Sequence, residues 1–91
     1  MERKRNRLEI IRDILKAVRD RNGRIKPTHV LYNSNLSHQM MSVYMKGLID
    51  NEMIKEISTK NGRSYIITEK GLDYLNKYSL ITNFTDSFGL N

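Results

Sequence analysis

Apolar residues recur along this chain in two rhythms, helical and strand-like, and each marks out elements. In residues 36–51, LSHQMMSVYMKGLIDN, the positions Met41, Tyr44, Met45 and Leu48 repeat at three- and four-residue spacing, which is one face of an α-helix. Ser37 stands where an N-cap hydroxyl takes up an orphan amide of the first turn, and Leu36 before it can pack back as a staple. The opposite face carries Ser37, His38, Gln39, Ser42 and Lys46. From Leu8 to Arg21 the residues Leu8, Ile11, Ile14, Leu15 and Val18 keep the same period, while Arg12, Lys16 and Arg19 fall elsewhere on the wheel. Asn22-Gly23 closes that helix, because glycine accepts the left-handed conformation of a helix C-terminus.

Pro27 suits the first turn of a short second helix, Thr28 to Tyr32, with Val30, Leu31 and Tyr32 as its apolar content. The triplet Arg24-Ile25-Lys26 before it fits a strand of two or three residues. Asn33-Ser34-Asn35 reads as a tight polar turn. Two helices joined by three or four residues make a helix-turn-helix, whose second helix is the reading one.

Beyond Asn51 the rhythm changes to two. Ile54, Glu56 and Ser58 alternate with Lys55, Ile57 and Thr59, and Ser64 to Thr68 is again β-favouring around Tyr65, Ile66 and Ile67. Asn61-Gly62 between them predicts a hairpin with a type I′ turn. A hairpin after a helix-turn-helix is a wing, here tipped by Lys60 and Arg63. Thr68 caps a last helix over 68–81, with Leu72, Leu75 and Tyr78 as its stripe and residues 82–91 as a tail. The expected fold is α+β, mostly α: a winged helix-turn-helix with a three-helix core, a two-stranded wing and a C-terminal helix, in one domain over 1–91.

Charge sharpens this picture. Residues 1–26 hold ten Lys/Arg against four Asp/Glu, and the remainder holds six of each, so the whole net charge of +6 lies on a basic arm (1–7) and the first helix. Such a basic end is a common electrostatic footprint for nucleic acid, and equally a solvated helix face that aids solubility. The chain has no cysteine, which removes disulfides, thiolate metal sites and a cysteine nucleophile. No apolar run approaches the roughly 18 residues that span a bilayer, and Glu9, Arg12 and Asp13 interrupt what would be a signal-peptide core. A soluble cytoplasmic protein is expected.

Catalytic chemistry finds no constellation. His29 and His38 lie on different helices with no metal-ligand spacing, no serine sits in a nucleophile turn, and the glycines are dispersed at 23, 47, 62, 71 and 89. No enzyme, cofactor or metal is expected. Gly71 reads as a close-packing position. Met41, Met45 and Met53 read as core, whereas Met40 and Val43 project to the polar side of the reading helix, where an apolar group can touch thymine methyls.

The residues thus support double-stranded DNA binding. Helix 37–50 enters the major groove, with Gln39 as adenine reader, Ser37, His38 and Ser42 as adaptable contacts and Lys46 toward phosphate or guanine. Thr28 and His29 approach the backbone at a helix N-terminus. Lys60 and Arg63 on the wing, with Arg3, Lys4, Arg5 and Arg7 from the arm, supply charge along the flanks. A transcriptional regulator is the expected role. The alternative is a winged-helix protein–protein interaction module that uses the C-terminal helix. RNA binding is disfavoured by the lack of a stacking platform on the strands.

Four stretches carry a resemblance: IIRDILKAV, KPTHVLYNSNLS, YMKGLIDNEMI and YIITEKGLDYL, spanning residues 10–75. In these the chain resembles the small archaeal winged-helix family that includes the ten-kilodalton DNA-binding proteins of archaeal chromatin. The resemblance implies a winged helix, double-stranded DNA as partner, a chromatin-associated factor as the other expected role, and a homodimer through the C-terminal helix, which would place Leu72, Leu75 and Tyr78 at the dimer interface. Two departures stand out: the basic arm before Leu8, and the stripe after Tyr78, which gives way to TNFTDSFGLN. The latter predicts a dimer contact other than the family's long coiled coil, or none.

Overall fold

Asn6 opens the first helix with a capping box: its side chain accepts from the Glu9 amide at 2.8 Å, and its own amide donates to the Glu9 carboxylate at 3.1 Å. The computed structural model describes residues 5–89. Its elements are α1 (Arg7–Asp20), α2 (Pro27–Ser34), α3 (His38–Asp50), β1 (Ile54–Thr59), β2 (Gly62–Ile67) and α4 (Glu69–Ser87), the order of a mostly helical winged helix-turn-helix. Arg3 and Lys4 lie outside the described residues.

The core is where α1, α2, α3 and α4 converge on the inner face of the hairpin. Ile14, Leu15 and Val18 of α1, Val30 of α2 and Ile54 of β1 are fully enclosed, joined by Met45 and Leu48 of α3, Tyr65 and Ile67 of β2 and Leu75 of α4. Ile25, between α1 and α2, is also enclosed and bridges to Tyr65, accepting its amide at 3.1 Å, so the expected strand at 24–26 is a single bridging residue. Asn22 receives the Ile67 amide on its side-chain oxygen at 2.6 Å. Gly23, at φ +81°, turns the chain so that its amide reaches the Tyr65 carbonyl.

Four local expectations are corrected. The buried stripe of α1 is rotated toward Ile10 and Ala17, leaving Leu8 56% exposed. Helix α2 runs to Ser34, so the turn before α3 is Asn35-Leu36-Ser37, with Asn35 left-handed at φ 53° and Tyr32 facing outward at 83% exposure. In the wing, Thr59 pairs with Gly62, which puts Lys60-Asn61 rather than Asn61-Gly62 at the two-residue tip. Neither tip residue has positive φ; Gly62 carries it at +109°, and Thr59 Oγ1 accepts the Asn61 amide and donates to the Gly62 carbonyl. The turn is therefore not type I′.

The fourth correction concerns α4, which continues six residues past the expected end. Its polar residues do not break it, because Thr82, Thr85 and Ser87 turn their hydroxyls back to carbonyls three residues earlier. The first left-handed residue after it is Gly89, at φ +69°. The helix starts as expected, with Thr68 accepting the Gly71 amide and donating to the carbonyls of Glu52 and Met53. Leu75 is a core residue, 6% exposed, and so is unavailable to a dimer contact. Tyr78 is half-buried under the Arg12 guanidinium, 5.2 Å from its ring centroid, and only Leu72 of the expected trio is exposed, at 39%.

Candidate nucleic-acid interface

Helix α3 is held by one face and leaves the other open. Met45 and Leu48 are buried and Met41 and Tyr44 pack beside them. Ser37, His38, Gln39, Met40, Ser42, Val43 and Lys46 are all exposed, so the outward surface carries the residues expected there. Ser37 is committed to capping, its oxygen accepting the Met40 amide at 3.2 Å. Lys46 is not a free cation: its ammonium donates to the Asp50 carboxylate at 2.8 Å, one turn on. The hydrogen bond and charge of Asp50 raise the Lys46 pKa above its ordinary value. Asp50 is thus an acidic group on the exposed face of α3 whose i, i+4 spacing from Lys46 was visible in the sequence.

The N-terminus of α2 and the wing tip are brought together by a residue that sequence reasoning passed over. Lys26, the residue before Pro27, reaches across to donate to the Asn61 carbonyl at 3.1 Å. Thr28 and His29 are exposed in the first turn of α2, whose cap makes no side-chain hydrogen bond. The Arg21 guanidinium lies 3.3 Å from His29 Nδ1. Arg21, Lys26, Thr28, His29 and the Lys60-Asn61 turn therefore form one exposed cluster that carries three cations, Arg21, Lys26 and Lys60. Arg63 stands 3.7 Å from Glu56 across the hairpin, so its charge is partly answered within the wing.

The arm residues separate. Arg5 pairs with Asp13 at 2.7 Å and donates to the Asn35 carbonyl at 3.0 Å, clamping the start of the chain to the turn between α2 and α3. Arg7 instead lies in the first turn of α1, on the side facing α3 and α4. The remaining cations of α1 are drawn to α4: Arg12, Lys16 and Arg19 border a depression closed by Tyr78 and Thr82. The basic excess is therefore divided between two sides of the molecule.

Helix α4 ends in an apolar surface. Leu80, Ile81, Phe84 and Phe88 are each more than 60% exposed, and the two phenylalanine rings lie 4.9 Å apart. Among the described residues no group of three or more His, Cys, Asp or Glu is placed to hold a metal ion, and no helix is long and apolar enough to cross a membrane.

Comparison with known proteins agrees with this architecture. The family profile described as winged helix-turn-helix matches residues 4–86. An uncharacterized protein of Methanocaldococcus jannaschii, MJ0290, is 38% identical over 68 residues, which are 75% of this chain and 29% of that protein. The chain therefore spans less than a third of that relative's length. The crystal structure of Sso10a-2, described as a DNA-binding protein from Sulfolobus solfataricus, superposes with a TM-score of 0.77 at 20% identity, over 92% of this chain and 85% of that one.

Proposed function

From the premise that this chain belongs to the winged helix-turn-helix family, we propose that it binds double-stranded DNA, as a transcriptional regulator or chromatin-associated factor. The observation that carries this reading is the outward surface of α3. A helix buried along one face leaves His38, Gln39, Ser42 and Lys46 exposed among the described residues, with Lys46 paired to Asp50. Those side chains offer donors and acceptors of the kind that read base edges in the major groove. The cluster of Arg21, Lys26, Thr28, His29 and Lys60 supports a second contact, to the phosphate backbone. The description of Sso10a-2 as DNA-binding adds the same partner by analogy of fold.

The protein acts as a homodimer in this proposal, joined by the far end of α4 through Leu80, Ile81, Phe84 and Phe88 rather than through Leu75. Two-fold pairing would set the reading helices about 34 Å apart and favour a near-palindromic site. The same apolar surface favours the second reading, a protein–protein interaction module in which α4 meets a different partner.

Fluorescence anisotropy of a labelled duplex of about 30 base pairs, titrated at several salt concentrations, tests the proposal. If each monomer neutralises about five phosphates, log K falls with log salt with a slope of about −4.5, roughly doubled in a dimer, and single-stranded competitor displaces poorly. No binding at low salt, or a slope near zero, overturns it.

A further inference from the structure

Between α1, α3 and α4 lies a cleft of about 510 Å³, within the range of small-molecule sites. Its walls are mostly apolar: Ile11 from α1, Val43 and Leu48 from α3, Met53 after it, and the rings of Tyr44 and Tyr74, with Asn51 as the one polar amide at its edge. The charged residues that border it are both cations, Arg7 from α1 and Lys70 from α4. No carboxylate lines it, and neither cation has an ion-pair partner among the described residues. Arg5, Arg12, Arg19, Lys46, Arg63 and Lys77 each meet an acid, whereas Arg7 and Lys70, like Lys16, Arg21, Arg24, Lys26, Lys55 and Lys60, do not. Two unanswered positive charges facing an apolar hollow are complementary to an apolar body that carries one negative group.

Gly47 adds an independent observation. It lies in the middle of α3, on the wall of the cleft, and a Cβ built there meets nothing within 4 Å. Alanine is the better helix former at such a position and would encounter no obstacle, so the fold does not require glycine here. Its effect is to keep open the space that a side chain would fill.

We propose that this cleft is a binding site for a small amphipathic organic anion, an aromatic or branched aliphatic acid. The apolar body lies against Ile11, Val43, Leu48 and Met53, the acid group meets Arg7 and Lys70, and Gly47 leaves room for it. The site is distinct from the outward contacts of α3, although Val43 borders both.

The test is fluorescence titration of the full chain with 1-anilinonaphthalene-8-sulfonate, which has an aromatic body and one fixed negative charge, followed by displacement with 1-naphthylacetate and its neutral amide. The expected result is one saturable site per chain, with the acid displacing the probe about tenfold better than the amide, the ratio expected of one charge-assisted contact. Gly47→Leu, designed to fill the cleft, weakens the probe about tenfold with a melting midpoint no lower than the parent's. Arg7→Gln with Lys70→Gln, both at exposed positions, erases the preference for the acid and keeps the fold. The proposal is overturned if binding is not saturable, as when another part of a chain fills the cleft, if acid and amide displace equally, or if folded Gly47→Leu binds the probe like the parent.

Discussion

The two halves of α4 are continuous in backbone and opposite in circumstance. The first half is sunk into the domain: Thr68 caps it, Gly71 abuts the Met53 carbonyl, Leu75 is in the core, and Tyr74 donates its hydroxyl to the Leu8 carbonyl at 3.2 Å. The second half and its cap carry comparable apolar side chains, Leu80, Ile81, Phe84 and Phe88, and expose them all. Hydrophobicity alone therefore does not tell a core residue from an exposed one. What separates them is which face of the helix the remainder of the chain reaches, and α1 ends its cover near Tyr78 and Thr82.

The sharpest test of that division is truncation in each half. Leu75→Ala removes buried atoms and leaves a cavity, and we expect a loss of about 2–5 kcal/mol in urea denaturation. Ile81→Ala removes a comparable side chain from an exposed site and should cost no more than about 0.5 kcal/mol at protein concentrations low enough to exclude association. Equal losses would erase the distinction between the halves.

Gly71→Ala comes next in size. A Cβ at this position would lie 2.5 Å from the Met53 carbonyl oxygen and 2.7 Å from Ile67 Cγ1, so α4 must move away from the loop it caps. The cost of that shift is about 1–3 kcal/mol, partly offset by the roughly 1 kcal/mol that alanine gains over glycine within a helix. The control is Gly47→Ala, where nothing lies within 4 Å and thermal denaturation should show a small gain in stability.

How much of this was legible in the sequence follows from the range of each signal. The order of elements was readable because caps, breakers and periodicity are local: Ser37 and Thr68 cap helices as expected, and Asn22-Gly23 ends α1. The Asn6–Glu9 capping box is equally local, although it lies among the charged residues that begin the chain. Gly71 was anticipated as a close-packing glycine, and its neighbours supply the reason. The destination of a stripe was harder to read. Leu75 and Phe84 both recur at helical spacing on α4, and only the position of α1 sends one inward and leaves the other out. The ion pairs that occupy Arg5 and Arg63 depend on folding or pairing that linear charge counts cannot weigh.

A smaller effect should appear on the alkaline side. Burial, then the neighbouring Tyr78 phenol, raises the Tyr74 pKa above its ordinary 10.0, with Arg12 pulling the other way. A group whose folded pKa is raised contributes stability that is fully present below its unfolded value and is lost as pH rises through the folded one. Stability should therefore hold to about pH 10 and fall beyond it, and Tyr74→Phe should remove part of that fall. Tyr65, also raised by burial, keeps its share in the variant. A fall of unchanged depth in Tyr74→Phe would mean that the hydroxyl does not anchor the first half.

A change that should be small in monomer stability is also the one that bears most on function. Ile81→Ser with Phe84→Ser replaces two exposed apolar side chains, so the isolated fold should change by less than about 1 kcal/mol. Association should respond much more strongly. If the second half of α4 joins two copies, the melting temperature of the parent rises with protein concentration, because only the folded chain can pair, whereas the double variant melts at one temperature throughout. Sedimentation velocity should then show the parent shifting from monomer to dimer over the same range and the variant remaining monomeric. A parent that stays monomeric at every concentration removes the homodimer and directs the apolar end of α4 to a different partner. A dimer that survives the double substitution places the contact elsewhere and leaves the second half of α4 without the role that its exposure suggests.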